Sequence, residues 1–483
     1  MNYKMIWRII SMILVIEAVF LIVPLIFCIV DHEPDITAAF LWSMLIILAA
    51  AALFWLAGRH CSRGFYAREG LVCVGLGWVI MSLLGCLPFF LSKQIPNYID
   101  ALFEIVSGFT TTGSSILPEV ESLSRGILYW RSFSHWVGGM GVLVFLLAVV
   151  PVNGRSDGYT MHILRAESPG PNVSKLVPRM KLTASILYLV YIVLTILNIL
   201  FLLAGRMPWF DAVCTAFGTA GTGGFATRND SIASFSPYLQ NVCTVFMMLF
   251  GVNFSCYYLL LLGRIRSFFQ DEELHVYFGT AAASTILIAL NLRGYYPTLE
   301  ETIRHAAFQV SSIMTTTGYA TTNFDLWPSF SKMILLVLMV IGACAGSTGG
   351  GLKCIRVLLL FKTLRRDISA VIHPGRVQTV RMNGRPLSEK LLSSVNVYLA
   401  AYVIIATASF LLVSLDGFSI TTNISAVLSC FNNIGPGLDQ VGPVTNFGSY
   451  SAFSKLVLIF DMLAGRLEIY PLLALFLPET WKS

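Results

Sequence analysis

Residues 110–113 read Thr-Thr-Thr-Gly, and turns of the same character return three more times along the chain. Each turn follows a short apolar stretch and carries a glycine just after it. The later turns are 222–225 (Thr-Gly-Gly-Phe), 315–319 (Thr-Thr-Thr-Gly-Tyr) and 432–437 (Asn-Asn-Ile-Gly-Pro-Gly). A unit that recurs about every hundred residues indicates an internal repeat, and such a repeat decides the architecture of the chain.

Longer apolar stretches surround the four turns. A membrane-spanning helix needs about 20 mainly apolar residues, and ten stretches meet that requirement. The predicted spans are 7–30, 38–57, 71–92, 126–151, 183–205, 238–262, 276–292, 331–361, 391–415 and 452–477. The stretches that lead into the turns are shorter, at 99–109, 209–220, 301–314 and 420–431. We predict that these four are re-entrant half-helices, because a broken backbone inside a membrane must face protein or water.

The composition excludes a soluble protein. The 483 residues are 56% hydrophobic and 12% charged, whereas about a quarter of a soluble domain is charged. A net charge of +6 does not suggest a nucleic-acid partner, and the ten cysteines lack metal-ligand spacing. Because no nucleophile and base are paired by motif, we predict neither enzyme activity nor a bound cofactor.

The elements together predict an all-α polytopic membrane protein. After two N-terminal helices, the order span, half-helix, turn, span occurs four times. The fold class is therefore about ten transmembrane helices plus four re-entrant pore half-helices, in four span–pore-loop–span repeats with pseudo-fourfold symmetry. The predicted units are 1–60 (two accessory transmembrane helices), 61–155 (pore repeat 1), 156–265 (pore repeat 2), 266–365 (pore repeat 3, with a glycine-rich broken helix) and 366–483 (pore repeat 4).

The positive charges predict the orientation of the chain. Lys and Arg collect in the cytoplasmic loops of multi-pass proteins, and about two thirds of the 32 present here fall inside if the N-terminus is cytoplasmic. The longest basic stretch is 353–390. We expect both termini in the cytoplasm and all four half-helices entering from outside.

The residue types of the turns suit a monovalent cation. A potassium filter replaces the hydration shell of the ion with backbone carbonyls, and glycine reaches the required backbone angles at least cost. Threonine adds a hydroxyl oxygen, and no carboxylate lies in the turns. The half-helices direct their negative ends at the centre. One such turn alone would be explained by a glycine helix cap, but four copies favour a pore.

The span 331–361 is interrupted by residues 342–351, Gly-Ala-Cys-Ala-Gly-Ser-Thr-Gly-Gly-Gly. Each glycine costs a helix interior about 1 kcal/mol relative to alanine, so we predict a broken helix whose loop lies in the pore below the filter. Close helix packing would explain two or three of the glycines. A phosphate-binding loop wants lysine directly after the last glycine, and Leu352 intervenes.

Three ionisable residues inside predicted spans invite a functional interpretation. Arg466 is the only basic residue that we place well inside a span, near Asp461 and Glu468. Intramembrane charge is functional by default, and both a cavity-facing charge and a salt bridge between helices stay open. For Glu17 we expect helix pairing or a neighbouring subunit. For His135 we expect a hydrogen-bonded interfacial histidine, with a proton relay as the alternative.

Five motifs resemble the Trk/Ktr/HKT superfamily of potassium transporters, and within it the branch of TrkH/TrkG-type membrane subunits of bacterial potassium uptake. The resemblance covers nearly the whole chain, including the two additional N-terminal helices. The motifs are SGFTTTG (107–113), WVGGMG (136–141), AGSTGGGLK (345–353), NNIGPGL (432–438) and GRLE (465–468).

The resemblance implies a potassium substrate and assigns its site. Four filter glycines go with potassium preference, and a serine in the first turn goes with sodium permeation. The implied filter residues are Thr111, Thr112, Gly113, Thr222, Gly223, Gly224, Thr316, Thr317, Gly318, Asn433, Ile434 and Gly435. In the second turn Gly223 and Gly224 could each be the filter glycine, and we align Gly224 because an aromatic residue follows it, as one follows Gly318. The implied gate is Gly346, Ser347, Thr348, Gly349, Gly350, Gly351, Lys353 and Arg466.

The resemblance also implies partners and a location. It implies a homodimer in the cell inner membrane and a cytosolic TrkA-type nucleotide-binding regulatory subunit. The basic segment 353–390 would dock that subunit or contact anionic membrane lipid. The alternative function is a secondary transporter that couples potassium to sodium or protons.

Overall fold

The computed structural model describes residues 1–59, 66–141, 180–374 and 378–481. Within these ranges the chain is helical, and the two strands found there, Arg381–Met382 and Arg385–Pro386, pair as one antiparallel hairpin. The prediction of an all-α polytopic membrane protein is thereby confirmed.

The N-terminal accessory unit packs on the rest of the protein. Its first predicted span is divided at Leu21 into Tyr3–Phe20 and Ile22–Val30, where Pro24 lacks the N–H that a continuous helix needs. The second span is Pro34–Ala57. The buried side of this unit belongs to one apolar cluster with repeats 1 and 4, so it is part of the same core.

Four short helices end at the four turns, as predicted. We call them the first to fourth pore helices: Tyr98–Phe109, Trp209–Gly221, Leu299–Met314 and Ile420–Phe431. Side-chain caps start three of them, since Asn97, Thr298 and Ser419 each accept a hydrogen bond from a first-turn N–H. The start of these three pore helices is therefore encoded locally.

Each pore helix lies between a leading helix and a following helix. The leading helices are Ala67–Gly85 with Leu87–Leu91, Met180–Ala204, Glu272–Asn291 and Glu389–Val413. The following helices are Arg125–Gly139, Pro237–Phe250 with Phe254–Leu261, Ser329–Ile341 with Cys354–Ile372, and Ala452–Arg466 with Tyr470–Phe476. Shorter helical segments are Ile265–Phe269, Phe324–Leu326, Ser414–Asp416, Asp439–Val441, Phe447–Ser449 and Pro478–Trp481.

The ten predicted spans are not all continuous helices. In the described ranges six helices are long and apolar enough to cross a membrane, or seven if one bent pair counts as a span. The following helices make the difference. The predicted span 238–262 bends by 87° between Phe250 and Phe254, 331–361 breaks at its glycines, and 452–477 breaks where Glu468 and Ile469 take positive φ.

Some predictions fall partly outside the described residues. The end of span 126–151 and the unit boundaries at 60/61 and 155/156 lie there. The boundary at 365/366 falls within the helix Cys354–Ile372, and the repeat limits therefore stay a prediction.

Candidate functional site

All four turns share one backbone conformation. In the first, third and fourth turns, the second residue after the pore helix has a left-handed backbone. In the second turn this is the first residue after the pore helix. In all four turns, the glycine two positions later also has a positive φ. The φ angles are 54° at Thr111 and 82° at Gly113, 55° at Thr222 and 78° at Gly224, 58° at Thr316 and 84° at Gly318, and 56° at Asn433 and 106° at Gly435. An alternation between left-handed and right-handed backbone lets successive carbonyls point to one side.

The turns hold strained residues in place by hydrogen bonds. A β-branched residue at positive φ is an outlier, and such a conformation costs of order 1–3 kcal/mol. Threonine is the first left-handed residue in three of the four turns. In each turn the next N–H donates back to a carbonyl five residues earlier, as at a Schellman helix end. The pairs are Thr112 to Ser107 (2.8 Å), Gly223 to Gly218 (2.8 Å), Thr317 to Ser312 (2.8 Å) and Ile434 to Ser429 (2.9 Å).

The four turns close into a ring. Each glycine predicted to belong to the filter faces a carbonyl oxygen of the next turn, so that a Cβ added there would meet it. The distances would be 1.9 Å from Gly113 to the Gly223 oxygen, 2.0 Å from Gly224 to that of Thr317, 2.1 Å from Gly318 to that of Ile434, and 2.9 Å from Gly435 to that of Thr112. The turns therefore follow one another in the order 1-2-3-4 around a common centre, with no room for a side chain at the first three glycines.

His135 explains why the second turn reads Thr-Gly-Gly. Gly224 has the positive φ, in the register aligned from the sequence. A Cβ at Gly223 would lie 2.2 Å from His135 Nδ1. That nitrogen is 2.8 Å from the Gly108 oxygen, and the Phe225 N–H donates to Nε2 at 3.2 Å. With one ring nitrogen donating and the other accepting, the hydrogen bonds assign a neutral histidine, which matches the expected interfacial role.

Most side chains of the turns are threonine or asparagine and carry an oxygen atom. Thr222 Oγ1 donates to the Gly221 carbonyl at 2.6 Å, and Thr316 Oγ1 accepts from the Gly350 N–H at 2.6 Å. Thr111 Oγ1 and Asn433 Oδ1 are buried and have no hydrogen-bond partner among the described residues. The same part of the chain has no cluster of three His, Cys, Asp or Glu side chains. This arrangement can replace the water shell of a weakly hydrated cation with neutral oxygens.

The glycine-rich loop lies against the ends of the third and fourth pore helices. It fills residues 342–353 between the helices Ser329–Ile341 and Cys354–Ile372. The Gly351 N–H donates to the Asn432 carbonyl at 3.1 Å. A Cβ at Gly350 would lie 2.2 Å from that same oxygen, and one at Gly349 would lie 2.9 Å from the Thr315 oxygen. The loop can approach both turns closely only because these positions are glycine.

The bend of the second following helix anchors the other side of the loop. The Phe254 N–H donates to the Gly346 carbonyl at 3.0 Å, and Thr348 Oγ1 donates to the Phe250 carbonyl at 3.3 Å. Ser347 Oγ bonds within the loop, to the Cys344 carbonyl at 2.6 Å. The departure from a continuous span at 238–262 thus has a structural reason, since the bend supplies these contacts.

Two cationic side chains, the half-buried Arg466 and the buried Lys353, donate to carbonyls around the loop. Arg466 donates to the Thr348 carbonyl at 2.8 Å and to the Gly139 carbonyl at 2.6 Å, and also to that of Gly138. Lys353 donates to the Gly349 carbonyl. Arg466 therefore joins the loop to the end of the helix Arg125–Gly139.

The acidic residues expected near Arg466 bind other groups. Glu468 forms an ion pair with Arg356, whose guanidinium lies 3.9 Å over the Tyr398 ring. Asp461 accepts a hydrogen bond from the Ser409 hydroxyl at 2.6 Å. The contacts described for Arg466 go to backbone oxygens, which is the geometry expected of a charge placed at the loop.

Arg466, the only basic residue placed well inside a span from the sequence, is not the only basic side chain withdrawn from solvent. It is half-buried, whereas Arg131, Lys353 and Arg356 of other predicted spans are buried. Arg131 Nε lies 2.6 Å from Glu104 Oε1 in a pair that sequence reasoning missed. The acidic residues of the apolar stretch 99–109 and the single arginine of 126–151 were the available signal.

Glu17 is buried within the chain, against repeat 1. A Cβ at Gly85 would lie 2.6 Å from Glu17 Oε1 and 2.8 Å from the Phe109 ring. Neither carboxyl oxygen has a hydrogen-bond partner in the described ranges. For Glu17 we expected either helix pairing or a neighbouring subunit. Its position favours helix pairing, with the helix Ala67–Gly85 as the partner.

Asp439 braces the N-terminal end of the fourth pore helix. It follows the fourth turn, and its carboxylate accepts hydrogen bonds from the hydroxyls of Ser419 (2.5 Å) and Thr422 (2.6 Å). Those two hydroxyls lower the pKa of Asp439. The bond ties the chain that leaves the turn to the first residues of the helix that leads into it.

Known proteins share this architecture over its full length. The model of the TrkH family, described as a cation transport protein, matches residues 36–482. The Trk system potassium uptake protein TrkH of Salmonella typhimurium is 35% identical over 490 aligned residues, covering 100% of both chains. The protein TrkG of Escherichia coli is 32% identical over 89% of this chain and 88% of its own. The crystal structure of the potassium transporter TrkH from Vibrio parahaemolyticus matches with a TM-score of 0.89 and 30% identity, over 100% of each chain.

Proposed function

Because the chain belongs to the TrkH family of cation transport proteins, we propose that it takes up potassium ions through the ring of four turns. The observation that carries this proposal is the shared backbone conformation, in which four glycines each lie against a carbonyl oxygen of the neighbouring turn. The full-length relatives named above as potassium uptake proteins support the choice of ion.

The proposed filter works by substituting carbonyl oxygens for water. Carbonyls of Thr111 and Thr112, Thr222 and Gly223, Thr316 and Thr317, and Asn433 and Ile434 would surround the ion. Neutral oxygens at spacings suited to potassium replace its hydration shell, whereas sodium, being smaller and more strongly hydrated, gains less from the exchange. The hydrogen bonds that hold the left-handed residues keep these oxygens in place.

The glycine-rich loop is the proposed gate. It packs against the carbonyl ends of the third and fourth pore helices, and Arg466 holds it by hydrogen bonds. A cation leaving the filter would have to displace the loop and pass this fixed positive charge. Opening would therefore require loss of the Arg466 contacts and movement of the loop away from Asn432 and Thr316.

Regulation is proposed to come from a second protein. The basic region 353–390, with the helix Cys354–Ile372 and the hairpin at 381–386, is directly continuous with the loop. We propose that this region faces the cytoplasm, as do both termini, and docks a nucleotide-binding subunit of the TrkA type. The protein would be a homodimer in the cell inner membrane. A displacement of the helix Cys354–Ile372 would then move the loop directly, because the loop ends where this helix begins.

A coupled transporter is the second candidate function. The observation that favours it is Asp461, which is buried on the fourth following helix and has one carboxylate oxygen without a partner in the described residues. Intramembrane carboxyl groups often belong to ion or proton pathways. In that case potassium uptake would require a sodium or proton gradient.

Flux through the purified chain in liposomes tests the proposal. Potassium, rubidium and sodium gradients would be imposed at clamped voltage, with and without the regulatory subunit. We expect passive flux that prefers potassium and rubidium over sodium. Flux that appears only with a sodium or proton gradient would establish the coupled transporter instead. Equal permeation by sodium and potassium would remove the four turns as a potassium filter.

A further inference from the structure

A buried ion pair lies between the first pore helix and the helix that follows it. Arg131 Nε is 2.6 Å from Glu104 Oε1, and their side chains are only 4% and 0% exposed. Two charges removed from water are costly unless they are paired and fully hydrogen-bonded. The remaining polar atoms of Glu104 and Arg131 are therefore expected to form further hydrogen bonds.

The remaining atoms of the pair hold two different turns. Glu104 accepts hydrogen bonds from the Ser115 hydroxyl at 2.9 Å and from the Ile116 N–H at 3.0 Å, in the chain that leaves the first turn. Arg131 donates to the Ala226 carbonyl at 3.0 Å and lies 3.6 Å over the Phe225 ring, in the chain that leaves the second turn. The pair thus ties the chain that leaves the first turn to the chain that leaves the second.

This tie is specific to one junction of the ring. Seven residues before the left-handed residue, the four repeats have Glu104, Thr215, Gln309 and Ala426. At the second junction, the Tyr319 hydroxyl lies 3.0 Å from the Thr215 carbonyl. At the third, Gln309 is buried and its amide has no hydrogen-bond partner in the part of the chain that is described. Of these four equivalent positions, only the first carries a charged side chain.

We propose that Glu104 and Arg131 are positioning residues that set the spacing between the first and second turns, and thereby the preference of the pore for potassium over sodium. The proposal rests on the proposed function. Neither residue would touch the ion. Selection by carbonyl rings depends on where the oxygens are held, and functional groups must be kept within about 0.5 Å of their working positions. A loosened junction would let the first two turns close around the smaller ion.

Two single variants test the proposal in liposome flux experiments. Arg131→Lys keeps a positive charge beside Glu104 but lacks the planar fork that also reaches the Ala226 carbonyl and covers Phe225. Glu104→Gln keeps the shape of the side chain but removes its charge. We expect the potassium-to-sodium permeability ratio to fall about tenfold in both, the scale of coupling between residues in contact. Potassium flux itself should persist.

A matched control lies on the same pore helix. Asp100, one turn before Glu104, forms an ion pair with Lys455 at 2.6 Å. Asp100→Asn therefore removes a carboxylate charge from this helix without touching the turns, and the permeability ratio should stay at the wild-type value. A ratio that falls equally in Asp100→Asn would overturn the proposal, because general loosening of the helix would then explain the effect.

The double variant Glu104→Gln/Arg131→Gln separates a shared role from two independent ones. If the two residues act as one brace, the double variant loses no more selectivity than Arg131→Gln alone. Losses that multiply would overturn the proposal, and so would a folded Arg131→Lys protein with an unchanged ratio. If the wild-type protein itself shows no preference for potassium, the proposed function fails first, whereas a selective wild type with unaffected variants removes only the brace.

Discussion

Gly113 is required by two independent features of the first turn. Its φ of 82° is costly for any other residue, and a Cβ there would lie 1.9 Å from the Gly223 carbonyl oxygen. Gly113→Ser should displace that oxygen, and we expect the potassium-to-sodium permeability ratio to fall about tenfold or more, since ion selection depends on carbonyl placement. Flux with paired potassium and sodium gradients measures the change.

A second glycine separates backbone strain from the pore contact. Gly294 has nearly the same φ, 84°, but nothing lies within 4 Å of its Cβ position. Gly294→Ser should cost about 1 kcal/mol of stability or more and leave selectivity unchanged. If Gly113→Ser also leaves selectivity unchanged, Gly113 does not belong to the filter.

His135 and Gly223 form a complementary pair in the second turn. Gly223→Ala would place a methyl group 2.2 Å from His135 Nδ1, and overpacking of this kind typically costs about 1–3 kcal/mol. His135→Ala relieves the clash but leaves the Phe225 N–H without its acceptor. We expect the double variant to be destabilised by less than the sum of the two single variants, as is typical of residues in contact.

Thermal unfolding in detergent, followed by size-exclusion chromatography, measures this coupling. Gly279→Ala is the control, because no atom lies within 4 Å of its Cβ position and alanine is favoured inside a helix. Additive destabilisation by the two substitutions would mean that His135 does not occupy the space that a side chain at position 223 needs.

At the scale of elements, Arg466 is the side chain that links the glycine-rich loop to the helix Arg125–Gly139. Arg466 supplies hydrogen bonds to Thr348 on the loop and to Gly138 and Gly139 on the neighbouring helix. Arg466→Gln should remove both the charge and most of these bonds. Loss of contacts that contribute about 1–3 kcal/mol would shift the equilibrium between the closed and the open loop roughly 5- to 150-fold toward the open loop. We therefore expect higher potassium flux without any regulatory subunit.

Arg366 provides the comparison for this prediction. It pairs with Asp367 and Glu389 away from the loop, so Arg366→Gln removes an arginine that does not contact the loop and should leave the basal flux as it is. Lower flux in Arg466→Gln than in the wild type would contradict the assignment of Arg466 as a restraint on the loop.

Elements with local signals could be predicted from the sequence. The pore helices end where an apolar stretch meets Thr-Thr-Thr-Gly or its equivalents, and the break at 342–353 follows from a run of glycines. The 87° bend before Phe254 has no comparable signal, because its partner is the loop near Gly346, more than ninety residues later. The Glu104–Arg131 pair was missed for the same reason, since each charge alone gives no indication of its partner.

At the scale of the whole molecule, the accessory unit is integrated with the pore. Ile9, Ile10 and Leu14 of its first helix are buried in the cluster that contains Phe109 of the first pore helix and Leu458 of the fourth repeat. Lipid tails are as apolar as these side chains, so association inside a membrane depends on close packing instead of the hydrophobic effect. The accessory unit therefore stabilises repeats 1 and 4 by the fit of its surface.

Dividing the chain between residues 59 and 66 tests this integration. A protein that begins at residue 66 would expose Gly85 and the Phe109 ring to lipid where Glu17 now packs. We expect it to be poorly folded alone and to recover a single size-exclusion peak and potassium-selective flux when residues 1–59 are co-expressed as a separate chain. The fragment 1–59 with Ile9→Gly and Ile10→Gly should fail to restore it, because the cavities left in a close-packed surface find no compensation in lipid. Selective flux from the chain that begins at residue 66 would show instead that the four repeats hold their ring without the accessory unit.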